Sequence, residues 1–255
     1  MAERPTLEAV LFDAGGTLVR LDFEWLSATV GGLGHAVAPA ALRRAEVEAR
    51  KAFEAAFDAP PPPVVAGEPR LGERGDTRLY FQVILEAAGV PPALVGPALE
   101  RSFARQAGPG LWTRPVEGAR GCLDALASTG LRLACVSNSD GRAEQHLAAC
   151  DMRRGLEFVV DSHHVGVAKP EAGIFRVALD RLGLAAERVL YVGDLRVVDG
   201  AGARGAGLHF VLLDPHGDYA VGGEPAIDTI ARLPAWVAAH FVVGRTPPGT
   251  SRSPL

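Results

Sequence analysis

Short runs of consecutive apolar residues punctuate this chain, and each gives way to a turn or a charged position. Ala9-Val10-Leu11-Phe12 stops at Asp13 and the Gly15-Gly16 pair. Similar runs recur at Leu131–Val136, Phe158–Val160, Val189–Val192 and Leu208–Leu213. Runs this short, without polar alternation, suit strands covered on both faces, as in a parallel sheet. Helical stretches lie between them, at Val116–Ser128, Gly141–Ala149 and Glu171–Leu182. Strand and helix alternating at this interval imply βαβ units. The fold class is therefore α/β, a Rossmann-like parallel sheet flanked by helices.

Residues 20–113 break that rhythm and read as helices only, at Phe23–His35, Pro39–Phe57, Thr77–Ala88 and Pro92–Gln106. The mixed charges of Ala40–Lys51 suit a solvated helix face. Pro60–Pro63 ends that helix and opens a loop reaching about Asp76. The expected organisation is an α/β core from residues 1–19 and 114–243, an all-helical insert from 20–113, and a flexible tail from 244–255.

Composition narrows the functional classes. The chain has 255 residues, of which 48% are hydrophobic and 22% charged, enough for a large core. A net charge of −4 gives no footing for nucleic acid. No apolar run is long enough to span a membrane, and the first residues lack the pattern of a secretory leader. Cys122, Cys135 and Cys150 are odd in number and lack a Cys-x-x-Cys pair, which argues against a disulfide framework or a cysteine zinc site and for a cytoplasmic protein. Lysine occurs only at Lys51 and Lys169, so either one stands out within a motif.

Four chemical features follow the carboxyl ends of expected strands, the edge where open parallel sheets bind ligands. They are Asp13 with Gly16-Thr17-Leu18, Ser137-Asn138, Lys169-Pro170, and Gly193-Asp194 with Asp199. In this order they resemble the haloacid dehalogenase (HAD) superfamily of hydrolases, over residues 8–214. The resemblance implies that the insert is a helical cap. It also implies a Mg²⁺-dependent phosphatase for a small phosphorylated metabolite. Asp13 would be the nucleophile, forming an aspartyl-phosphate. Ser137, Asn138 and Lys169 would hold the phosphoryl group, with Gly16 and Thr17 beside it. Asp13, Asp194 and the Gly15 carbonyl would hold the metal, and Asp199 would orient Lys169 or metal-bound water. The chemistry is coherent in its own right, because a carboxylate nucleophile splits a hard displacement into two easier steps. Mg²⁺ takes carboxylate and carbonyl oxygens and keeps waters for a phosphate.

One position departs from the family pattern. The residue two beyond the nucleophile, an acid in many such phosphatases, is Gly15. Either the leaving group needs no proton, or another group supplies it, or the protein turns over slowly. Rival readings are a 2-haloacid dehalogenase, a phosphonate-cleaving hydrolase using Lys51, and a non-catalytic phosphate-ligand or interaction protein. Elsewhere, Gly200-Ala201-Gly202-Ala203-Arg204-Gly205 imitates a dinucleotide fingerprint, but it lies well past its strand and reads as close helix packing. His163-His164 reads as a loop pair, because no further ligand lies near it in sequence. Phe23, Trp25 and Trp112 read as packing residues or pocket lining.

Overall fold

The computed structural model describes residues 4–57, 77–217 and 223–244. The proline loop and the C-terminal tail expected from sequence fall almost wholly outside these residues. The chain opens with β1 (Thr6–Leu7), β2 (Ala9–Phe12) and β3 (Val19–Leu21). It then enters the helical insert through α1 (Phe23–Gly31), α2 (Pro39–Ala56), α3 (Thr77–Ala87) and α4 (Pro92–Ala107). β4 (Trp112–Pro115) returns it to the core. There follow α5 (Ala119–Ser128), β5 (Arg132–Ser137), α6 (Ala143–Ala149), β6 (Val159–Asp161), α7 (Ser162–Val165) and α8 (Ala172–Leu182). β7 (Val189–Gly193), α9 (Ala201–Gly205), β8 (His209–Leu213), β9 (Ala226–Ile227), α10 (Leu233–His240) and β10 (Val242–Val243) complete the described chain.

Six parallel strands form the sheet in the order β6-β5-β2-β7-β8-β9. β2 lies inside it, with Phe12 in register with Cys135 on one side and Val192 on the other. The apolar runs explain themselves once the two faces are separated. Val10, Phe12, Leu133, Cys135, Leu190 and Val192 pack against α5 and α10. Ala9, Leu11, Ala134, Val136 and Tyr191 pack against α8 and α9 on the opposite face. Because side chains alternate along a strand, a strand covered on both sides must be apolar throughout.

The helical insert has its own core. Phe23, Leu26, Leu42, Phe81, Ile84, Leu85 and Leu99 are buried together there. Its entry and exit strands, β3 and β4, pair antiparallel, with Val19 opposite Pro115 and Leu21 opposite Trp112. This hairpin-like neck was not expected from sequence, since neither segment carries a strand-like run of its own. Asp22 pins it. The carboxylate accepts from the Trp25 backbone N–H at 3.0 Å, capping α1, and pairs with Arg105 at 2.8 Å and Arg114 at 3.1 Å. Burial opposes the charge of Asp22, but these donors together hold its carboxyl below the usual range.

Several boundaries shift for local reasons. α1 stops at Gly31 rather than His35, where the glycines of Gly31-Gly32-Leu33-Gly34 are poor helix formers and Gly34 adopts φ +95°. α5 begins at Ala119, because Gly118 takes a left-handed conformation. His163-His164 sit on the single turn of α7, not in a loop, with the His164 ring nitrogen 3.2 Å from the Gly141 carbonyl. The glycine-rich segment does pack tightly. A Cβ at Gly202 would lie 2.6 Å from the Phe175 ring, and one at Gly200 would lie 2.9 Å from Phe210.

Candidate active site

Asp13 is the first residue beyond β2, Ser137 the last of β5, and Asp194 the first beyond β7. β5 and β7 flank β2 on opposite sides, so these residues meet at the point where the strand order reverses. Single oxygens of Asp13, Asp194 and Asp199 lie within 4.8 Å of one another, and all three residues are buried. Among the described residues this is the one carboxylate, histidine or cysteine cluster of metal-binding shape.

Lys169 enters the cluster from the loop before α8. Its Nζ donates to Asp13 Oδ1 at 2.5 Å, to Asp199 Oδ1 at 2.8 Å and to the Tyr191 hydroxyl at 2.8 Å. Burial works against the ammonium, yet the two carboxylates outweigh it and raise the Lys169 pKa. The lysine therefore stays charged. Tyr191 was not anticipated from sequence. It is a strand residue whose ring packs edge-on to Phe175 at 5.0 Å while its hydroxyl braces Lys169 from beneath.

Burial is the main influence on both candidate metal ligands. It pushes the Asp13 carboxyl up to about 6, against the pull of Lys169 and with help from Asp199. It pushes Asp194 well above the ordinary carboxylate value, against Arg50 and with Asp199 and Asp13 adding to the rise. Two buried, crowded carboxylates of this kind suit a hard divalent cation that neutralises both, so the donor set fits Mg²⁺.

Asp199 acts as a brace. Besides Lys169, it accepts from the backbone N–H groups of Asp194 at 3.1 Å and Leu195 at 3.0 Å. It thereby fixes the turn that presents Asp194, and it does not cap the next helix. Gly16 is demanded twice over. It has φ +76°, and a Cβ there would fall 2.2 Å from Asp194 Oδ2. Gly193 has the same function toward Asp199, where a Cβ would lie 2.4 Å from the carboxyl carbon.

Two of the expected site residues are held in ways the sequence did not show. Thr17 is fully buried and is not among the residues lining the cavity, whereas its neighbour Gly16 is. The Asn138 amide is occupied at both ends by the Lys169 backbone, donating to its carbonyl at 3.0 Å and accepting from its N–H at 2.8 Å. The Asn138 side chain therefore positions Lys169, and both Ser137 and Asn138 line the cavity.

The cavity, about 150 Å³, lies between the sheet edge and the insert. The insert's contribution was largely missed in sequence. On α2, Glu46, Arg50 and Glu54 recur every four residues and face inward, although the charges of this helix had suggested a solvated face. Arg50 is 5% exposed and pairs with Asp194 at 3.6 Å. Glu54 accepts the Arg196 backbone N–H at 2.7 Å, and Glu46 accepts the Tyr80 hydroxyl at 2.7 Å. Lys51, one residue on, points away and pairs with Glu48 at 3.1 Å, so it does not line the cavity. Trp112 lines it beside Gly15, whereas Phe23 is buried in the insert core and Trp25 lies against the Arg105 guanidinium at 4.5 Å.

The sequence model of the haloacid dehalogenase-like hydrolase family matches residues 7–207. The haloacid dehalogenase-like hydrolase domain-containing protein 3 of Xenopus laevis is 42% identical over 100 residues, covering 39% of this chain. This chain spans only 41% of that protein's length. The protein of the same description from Bos taurus is 30% identical over 244 residues, 91% of this chain and 94% of that one. A phosphoglycolate phosphatase of Rhodospirillum rubrum is 31% identical over 129 residues, 47% of this chain and 52% of its own. Among solved structures, a HAD-hydrolase from Bacillus subtilis bound to magnesium superposes with a TM-score of 0.61 at 19% identity, covering 91% of this chain and 99% of that one. At that identity the likeness is one of fold.

Proposed function

The chain belongs to the haloacid dehalogenase-like hydrolase family and is related to phosphatases, and on that premise we propose that it is a Mg²⁺-dependent phosphatase of a small phosphorylated metabolite. The observation that carries this reading is the convergence of Asp13, Lys169, Asp194 and Asp199 in one buried cluster at the sheet's switch point. Residues 1–19 and 114–243 supply the reacting groups and 20–113 the cap over them.

Asp13 uses the oxygen not held by Lys169 as the nucleophile. Phosphoryl transfer is mostly positioning and charge neutralisation. Lys169 neutralises both Asp13 and the incoming phosphoryl oxygens, and its ring of acceptors keeps it from swinging away. Ser137 and the backbone beyond β5 hold the remaining oxygens. Asp13, Asp194 and the Gly15 carbonyl would hold Mg²⁺, which when bound supplies charge neutralisation and orientation for the phosphate. Asp199 keeps Lys169 and the Asp194 turn in place. The cap excludes water during transfer. The three cysteines are buried and free, which suits a cytoplasmic, reducing setting; among the described residues no helix is long and apolar enough to cross a membrane.

The test is phosphate release from a panel of phosphomonoesters, with Mg²⁺ and with chelator. Turnover should require the metal, and Asp13→Asn should lower it by at least about 10³-fold, as expected when a covalent nucleophile is lost. Chloride release from a 2-haloacid in chelator would instead support the dehalogenase reading.

A further inference from the structure

Expelling an alkoxide from phosphorus calls for a proton, and a positioned acid typically contributes about 10²–10⁴-fold. At Gly15 the chain lacks the side chain that the family resemblance would assign to that task. The structure shows what fills the space instead. A Cβ at Gly15 would lie 3.2 Å from Trp112 Nε1 and 3.3 Å from its Cδ1, so the indole lies directly against this backbone. Trp112 begins a connected aromatic wall. Its ring meets Phe81 at 5.7 Å, Phe81 meets Tyr80 at 5.7 Å, and Tyr80 meets Phe53 at 6.2 Å, all edge-to-face. Trp112, Tyr80, Phe53 and Phe57 face the cavity that holds Asp13.

Among the described residues that line the cavity, Lys169, Tyr80 and Gln106 are already committed and poorly placed to replace the acid. Lys169 is held by three acceptors. The Tyr80 hydroxyl already donates to Glu46, and burial holds its proton firmly. The Gln106 amide donates to Asp140 and accepts from the Leu111 N–H. His146 remains. Burial and the neighbouring Arg142 lower its pKa, against Asp140 and Asp161, so its imidazole is neutral at neutral pH.

We infer that the site is built for phosphate monoesters of phenols and related stabilised hydroxyls, whose oxygen departs as the anion without being protonated while the ring lies among Trp112, Tyr80 and Phe53. This rests on the phosphatase reading and deepens it by naming the leaving group. An Asp13 oxygen donates its electron pair to phosphorus. The bond from phosphorus to the aryl oxygen breaks, its electron pair leaves on that oxygen, and the phenolate takes a proton from bulk water. A water then attacks the phosphorus of the aspartyl-phosphate, the Asp13–phosphorus bond breaks to return the carboxylate, and the water's protons remain on the released phosphate or pass to solvent. The first step therefore needs no proton donor at Gly15, and the second is common to every ester, so the choice of leaving group acts on the first. Aromatic contacts in the pocket add selectivity for a ring over an aliphatic chain.

The experiment measures kcat/KM of the full chain with Mg²⁺ across substituted phenyl phosphates of graded phenol pKa, together with alkyl phosphates of matched size. The expected result is a steep, several-fold fall per unit of phenol pKa, with alkyl esters at least about 100-fold slower. Trp112→Ala should raise KM for phenyl phosphate about tenfold while inhibition by inorganic phosphate stays unchanged. A flat series, with alkyl esters turned over equally well, overturns the inference and leaves the phosphatase reading standing. In that case a loss in His146→Gln larger for alkyl than for phenyl esters would identify the acid. Failure to hydrolyse any phosphomonoester would remove the phosphatase reading itself, and this inference with it.

Discussion

Asp13 and Lys169 show how burial and pairing compete at a single contact. Their atoms approach to 2.5 Å, yet the carboxyl is held up to about 6, because desolvation outweighs the attraction of the lysine. A carboxyl whose pKa rises on folding favours the fold while it keeps its proton, and that contribution fades as pH climbs through about 6. Asp194 is shifted the same way. The metal-free protein should therefore carry a penalty at neutral pH that Mg²⁺ removes, whereas at about pH 5 protons already do that work. The rise in melting temperature on adding saturating Mg²⁺ should thus be clearly larger at about pH 7.5 than at about pH 5. Equal shifts at both pH values, read by thermal denaturation, would show that these carboxylates do not bind the ion.

At the scale of elements, α2 joins cap to core through an inward stripe that its sequence disguises. Glu46, Arg50 and Glu54 are one turn apart, so they share a face. Their charges resemble those of the outward residues Arg43, Arg44, Glu48 and Lys51. Nothing in the local pattern says which set faces inward, because the answer depends on Asp194 and Arg196, 142 or more positions away. Arg50→Gln should have two opposed effects. Without metal, Asp194 loses a buried partner, and the protein should be destabilised by about 3 kcal/mol. With the competing cation gone, Mg²⁺ should bind several-fold more tightly, since like charges repel strongly in a dry site. Calorimetric Mg²⁺ titration beside urea unfolding separates the two; weaker metal binding in the variant would assign Arg50 a purely supportive role toward the ion. The β3–β4 neck belongs to this scale as well. It is held less by strand propensity than by Asp22, which gathers the α1 N-terminus, Arg105 and Arg114 around one carboxylate.

For the whole molecule, the core lies in the two-faced sheet and the candidate site at its carboxyl edge. Leu190 is fully buried on the α5–α10 face and does not line the cavity. Leu190→Ala should lower the unfolding free energy by about 2–5 kcal/mol. Val242, 47% exposed, should tolerate the same change to within about 0.5 kcal/mol. Denaturant curves of the two variants test whether the sheet core dominates stability. The apolar runs, the motif residues ending them and the all-helical insert were all readable from residue order. Each rests on local alternation and spacing, which the chain carries in any conformation. Asp13, Ser137, Lys169, Asp194 and Asp199 could thus be singled out before their positions were known. Helix starts at Ala119 and Ala143 were less legible, since glycine conformation and the Asp161 carboxylate set them.

By itself, then, the sequence determined the class of sheet and the order of its strands' chemical endings. Tertiary structure decided that Thr17 is enclosed, that the Asn138 amide serves Lys169, that Arg50 rather than Lys51 turns inward, and that Trp112 stands where Gly15 leaves room. The physical reason is range. Alternation, turn chemistry and charge type act between neighbours along the chain, whereas burial, ion pairing and ring packing depend on which distant segments the fold brings within a few ångströms.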